Sequence, residues 1–170
     1  MNVPRITKTK GVFWMTCRVE VRIDARVERI WGLLTDAKSF PRWNSTVASI
    51  DGEILDGARI RLRVRGADRV FTPVVSDVEP NAHMTWTGGL TGVFRGVRTF
   101  RLAPASDGST TFAMEERFAG VMLPLVGRLL PDFGPVFERY ANDLKREAER
   151  LEAYARYPRS RRRQPRQAFR

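Results

Sequence analysis

Cysteine and histidine are nearly missing from this chain. Its 170 residues hold one of each, Cys17 and His83. A single cysteine excludes an internal disulfide and suits a reducing compartment, for which we expect the cytoplasm. Cys17 alternates with Val19, Val21 and Ile23, so it reads as a small buried apolar residue rather than a reactive thiol. One histidine and one cysteine leave no His-based catalytic triad and no zinc site, and neither a metal nor a cofactor is expected. Long hydrophobic runs are missing as well. GVFWM at 11–15 is too short for the apolar core of a signal peptide, and nothing approaches the length of a membrane span.

Acidic residues are absent from both ends. Residues 1–14 carry Arg5, Lys8 and Lys10, and residues 156–170 carry seven arginines. The formal net charge is +11, and removing those ten charges leaves the intervening chain at +1. The basicity thus belongs to two tails rather than to a binding face, and no specific nucleic-acid binding is expected. The C-terminal arginines suit weak electrostatic contact with an anionic surface. The expected division is a basic extension over 1–14, a folded domain over 15–156 and a disordered Arg-rich tail over 157–170. Met15 stands where the folded pattern begins, so 1–14 reads as a mobile extension or an upstream mis-start.

Within the domain, residues 16–23 alternate as a half-buried strand. Asp24 is placed to cap a helix whose stripe is Val27, Ile30, Trp31 and Leu34, and a second short helix over 36–40 should stop at Pro41. Trp31 and Trp43 read as packing residues under these helices. Strands follow at 46–52, 59–65, 70–78, 83–87, 93–102 and 110–118, with turns at 79–81 and 106–108. No helical pattern separates them, so the sheet should be antiparallel and meandering. After a short apolar segment, 122–130, a helix from near Pro135 to about Arg156 carries Val136, Phe137, Tyr140, Leu144, Ala148, Leu151 and Ala155 on one face. Arg139–Asp143 and Lys145–Glu149 are expected as i, i+4 pairs on its wet side.

The turn at 106–108 sets a hairpin in which Leu102 meets Phe112, Phe100 meets Met114 and Arg98 meets Glu116. An arginine and a glutamate then face each other among phenylalanines. A buried guanidinium needs a partner. Two roles stand side by side: a stabilising cross-strand pair, and a polar anchor for a ligand. Arg59, Arg61, Arg63 and Arg65 form an outward stripe, read as a soluble strand face in preference to a phosphate site. His83, Asp77 and Glu115 fall on outward phases.

RIDARVERIWGLLTDAKSFPRWN, the Gly52–Gly57 turn before ARIRLRV, VVSDVEPNAHMTW and GVFRGVRTFRLAPASDGSTTFAMEERFAG, closed by an amphipathic helix, resemble the START-like (SRPBCC) superfamily, most closely its bacterial polyketide cyclase/dehydrase and lipid-transport branch. The resemblance spans about residues 16–152. It implies an α+β helix-grip fold, a curved antiparallel sheet wrapped round a long C-terminal helix with two short helices after the first strand, and a cavity between helix and sheet. Relatives often carry a histidine in the strand GVRTFRL, where this chain has Arg98, so a role tied to that histidine does not transfer. Pro131 and Pro135 also depart from the smoother helical approach of many relatives.

Trp86, Phe94, Phe100, Phe112, Met114, Phe118, Met122, Leu125, Leu129, Phe133, Phe137 and Tyr140 are the expected lining, with Arg98 and Glu116 as its polar pair. The leading expectation is a carrier of a hydrophobic small molecule, lipid- or polyketide-like. The enzymatic alternative is an aromatase/cyclase using Arg98 on a carbonyl or enolate and Glu116 or Tyr140 as proton carrier. A third class is an interaction module with a closed interior and a basic tail. Both monomer and homodimer remain open.

Overall fold

Alternation and turn chemistry give nine strands and four helices over the residues the computed structural model describes, 3–126 and 132–156. The strands are β1 (Arg5–Lys10), β2 (Trp14–Ile23), β3 (Val47–Asp51), β4 (Arg61–Val64), β5 (Val70–Phe71), β6 (Val74–Glu79), β7 (His83–Leu90), β8 (Phe94–Pro104) and β9 (Thr110–Ala119). The helices are α1 (Val27–Thr35), α2 (Phe40–Trp43), α3 (Leu123–Val126) and α4 (Phe133–Arg156). The fold is α+β, with a large antiparallel sheet ordered β1-β2-β9-β8-β7-β6 and a long C-terminal helix against it, the helix-grip arrangement. The sheet does not close on itself.

The expected single sheet is in fact two, because β3, β4 and β5 pair separately. The run read as one strand over 70–78 breaks at Thr72–Pro73, where proline has no N–H to give a ladder. Residues 57–60 rejoin the two sheets: Gly57 N donates to Val75 O at 2.9 Å, and Val75 N donates to Ala58 O at 2.8 Å.

The basic segment at the start is not simply an extension. Arg5–Lys10 pairs along its whole length with β2, from Arg5 opposite Glu20 to Lys10 opposite Met15. Its one apolar side chain in that span, Ile6, packs against the core. Lys8 forms an ion pair with Asp132, just before α4.

Three local expectations also change. Arg26, not Asp24, holds the N-cap position of α1, and no side chain caps it. Asp24 N instead donates to Glu149 on α4 at 2.9 Å. Pro41 lies in the first turn of α2 and opens that helix, since its missing N–H costs nothing there. Asp143 does not pair with Arg139 on a wet face. It is buried, accepting from Ser45 N at 2.7 Å, Ser45 Oγ at 2.6 Å and Arg146 at 2.7 Å. The Lys145–Glu149 pair forms as expected.

α4 has 24 residues, a rod of about 36 Å. Phe137, Tyr140, Ala141, Leu144 and Ala148 are its buried apolar face. They meet the inward positions of β2, β7, β8 and β9 in one continuous core that also takes in Ile30, Leu34, Phe40 and Trp43.

Candidate functional site

The β8–β9 ladder builds the polar centre. Its register sets Leu102 opposite Phe112, Phe100 opposite Met114 and Arg98 opposite Glu116, as the alternation and the Asp107–Gly108 turn predict. Arg98 Nε donates to Glu116 Oε2 at 3.0 Å, and a second guanidinium nitrogen donates to the same oxygen. The two side chains are 18% and 13% exposed, so the pair is largely withdrawn from water. The Arg98 guanidinium also lies 5.4 Å from the centre of the Phe137 ring on α4, placing a cation over an aromatic face.

Tyr140 is the hub of the interior. Its ring centre is 5.8 Å from Trp43, 6.3 Å from Phe100, 6.3 Å from Phe112 and 6.5 Å from Phe40. Burial pushes its phenol far above the usual tyrosine range, outweighing the opposing positive charge of Arg98. Tyr140 is therefore a neutral O–H donor at physiological pH. Its hydroxyl has no hydrogen-bond partner among the described residues, and neither has Nε1 of Trp86, the residue opposite Arg98 on β7.

A second file of rings leads outward from this centre. Phe137 contacts Phe133 at 6.2 Å, Phe133 stacks on Phe118 at 5.0 Å, and Phe118 stacks on Phe94 at 5.7 Å. Gly96 makes room for it: a Cβ there would stand 3.2 Å from the Phe118 ring.

Of the expected lining, Trp86, Phe100, Phe112, Met114, Phe118, Phe137 and Tyr140 are buried, while Phe94, Arg98, Glu116 and Phe133 are half-buried. Met122 and Leu125 are corrections. Both are exposed at the end of the sheet, while Leu123 between them is buried. Leu129 lies outside the described residues. Between helix and sheet the rings of Phe40, Trp43, Phe100, Phe112 and Tyr140 pack on one another. Two surface depressions lie elsewhere, at Asp24–Glu149–Glu152–Arg156 and at Arg5–Thr7–Arg18–Glu20.

Over residues 15–156 the chain matches the family described as polyketide cyclase/dehydrase and lipid transport. The chain belongs to that family. Comparison with curated proteins gives no match. Among solved structures, protein MLL2253 of Mesorhizobium loti is 26% identical, with a TM-score of 0.63, covering 79% of this chain and 97% of its own. A START superfamily protein from Mycobacterium smegmatis is 20% identical, with a TM-score of 0.60, covering 80% and 98%. DynU16, encoded in the dynemicin biosynthetic locus, is 21% identical, with a TM-score of 0.60, covering 79% of this chain and 47% of its own. The last two establish likeness of fold.

The START-like match begins after β1, so β1 and its turn lie outside the matched segment. Pattern reading passes over three buried polar groups. Asn44 accepts from Thr46 N at 2.9 Å and Thr46 Oγ1 at 2.7 Å. Asp143 ties the end of α2 to α4 through Ser45. Glu152 is met by Arg26 at 3.2 Å, Arg156 at 3.6 Å and Arg29 at 3.7 Å. Glu152 continues the 141–144–148 spacing of the inward stripe, which is a signal visible in sequence. His83, read as solvent-facing, is half-buried on the outer sheet face between Asp77 and Glu79, each at 3.3 Å.

Proposed function

We propose that this START-like protein binds a hydrophobic small molecule, lipid- or polyketide-like, between α4 and the sheet, with its polar end at Arg98, Glu116, Tyr140 and Trp86. The observation that carries the reading is the pair of unpartnered buried donors, Tyr140 O–H and Trp86 Nε1–H, beside a shielded ion pair. A buried donor left unsatisfied costs about 1–3 kcal/mol, and a ligand oxygen accepting from either removes that cost. The phenylalanine file from Phe94 to Phe137 supplies an apolar route inward. The family description and the fold shared with a protein from a biosynthetic locus support the same class of ligand. We assign the protein to the cytoplasm, which suits its single, buried cysteine.

Native mass spectrometry of freshly purified protein, followed by organic extraction, tests the reading. A stoichiometric apolar adduct is the expected result. Titration with a long-chain fatty acid and its methyl ester, read by tryptophan quenching, then tests the anchor. Arg98→Met should weaken the acid more than the ester; equal weakening removes Arg98 from the polar end.

A second reading, an aromatase/cyclase, is favoured by the neutral, unpartnered Tyr140 hydroxyl, which can hydrogen-bond a developing enolate oxygen beside Arg98. Turnover of a poly-β-keto mimic that vanishes in Arg98→Ala with binding retained would establish it. Unchanged turnover would remove these residues from the chemistry.

A further inference from the structure

Eight of the eleven large apolar side chains exposed among the described residues lie at one end of the sheet. Val12 and Phe13 crown the β1–β2 turn, Leu90 and Val93 the β7–β8 turn, and Val121 and Leu125 the chain leaving β9. Backbone hydrogen bonds hold the three segments together: Gly120 N donates to Phe13 O at 3.0 Å, and Val121 N donates to Gly92 O at 3.1 Å. Val12 and Leu125 are each 70% exposed and Phe13 is 56% exposed. Scattered exposed apolar residues need no explanation, but a contiguous set on three adjoining turns marks an interaction surface.

The charged residues within the three segments have one sign, and the acid Asp132, outside them, is paired with Lys8. Residues 9–16, 88–97 and 117–126 contain Lys10, Arg95 and Arg117 and no acid. The Arg117 guanidinium lies 5.5 Å from the Trp14 ring, an amphipathic couple suited to a headgroup region. A second copy of this chain would bring the same cations against these, in a self-complementary interface that repels itself. A surface offering apolar depth and negative charge fits both features.

We propose that this end docks on an anionic lipid membrane, with the three turns inserting their apolar tips and Lys10, Arg95 and Arg117 meeting the headgroups. Binding of this kind scales with inserted apolar area and with attraction to anionic lipid. Among the described residues no helix is long and apolar enough to cross a membrane, so the contact is peripheral. The proposal stands independently of what the interior binds.

Cosedimentation of the full chain with phosphatidylcholine vesicles, with and without 30% phosphatidylglycerol, is the test. Expected are binding to the anionic vesicles, quenching by brominated lipid that Trp14→Phe diminishes, and about tenfold weaker partitioning for Phe13→Ser/Leu125→Ser at an unchanged melting temperature. Wild-type partitioning in the double variant would overturn the proposal. So would binding that disappears on removing residues 157–170 while the double variant still binds. A wild-type dimer that the double variant disperses, without vesicle binding, would assign the surface to a second copy instead.

Discussion

Arg98 and Glu116 face each other across β8 and β9 with Nε 3.0 Å from Oε2, Arg98 between Gly96 and Phe100 and Glu116 between Met114 and Phe118 on the inward face. The pair is far more valuable intact than halved, because either charge alone would be left in an apolar setting. Arg98→Met should destabilise the fold by about 2–4 kcal/mol, and Arg98→Met/Glu116→Leu should recover most of that loss. Urea melts of the two single variants and the double variant give the coupling; a double variant no better than the singles would show that the pair is indispensable as an ion pair.

Tyr140→Phe removes a buried hydroxyl that has no protein partner. The ligand-free protein should gain about 1–3 kcal/mol of stability at pH 7, while affinity for the oxygen-bearing ligand falls. A loss of several kcal/mol in the ligand-free protein would reveal a partner for the hydroxyl.

Alkaline stability follows from the same residue. Its folded pKa is raised above the ordinary value of 10.0, so the native state holds the proton more tightly than the unfolded chain. The contribution is fully present below pH 10 and declines as the pH rises through the folded value. Melting temperatures taken upward from pH 9 should therefore fall less steeply in Tyr140→Phe. In an absorbance titration of the three tyrosines, one should ionise only as the protein unfolds.

Asp143→Ala removes the acceptor for both Ser45 N and Ser45 Oγ. A destabilisation of about 1–3 kcal/mol is expected, and Asp143→Asn should retain part of it because the amide oxygen still accepts. Thermal melts of both variants test the link between α2 and α4; equal losses would mean that the carboxylate charge, not acceptance, is what counts.

Gly120→Ala should cost about 2 kcal/mol or more. Gly120 has φ +149°, and a Cβ there would meet the carbonyl carbon of Val93 at 2.6 Å. Gly108→Ala, where a Cβ meets nothing within 4 Å, provides the comparison with positive φ alone.

The order of strands and the β8–β9 register were legible because alternation fixes which side chains share a face, and a short turn fixes which residues pair. Arg98 and Glu116 could thus be placed opposite one another before any coordinates. β1 was hidden because an edge strand with one inward apolar residue, Ile6, resembles a solvated basic tail in composition. Asp143 and Glu152 are not legible in the charge spacing of α4 alone. Their partners, Ser45 and Arg26, come from other elements. The exposure of Met122 and Leu125 was equally invisible, since apolar content does not tell them from Leu123, which is buried.

The sheet order also bears on how the protein is made. β2 pairs on one side with β1, its immediate predecessor, and on the other with β9, roughly a hundred residues later. During synthesis the N-terminal hairpin can form at once, but the other side of β2 must wait until nearly the whole domain has left the ribosome. Throughout that wait Cys17, Val19, Val21 and Ile23 lack the helix that finally covers them. The arrival of the last strand beside the second is therefore the longest-range strand pairing the chain has to make.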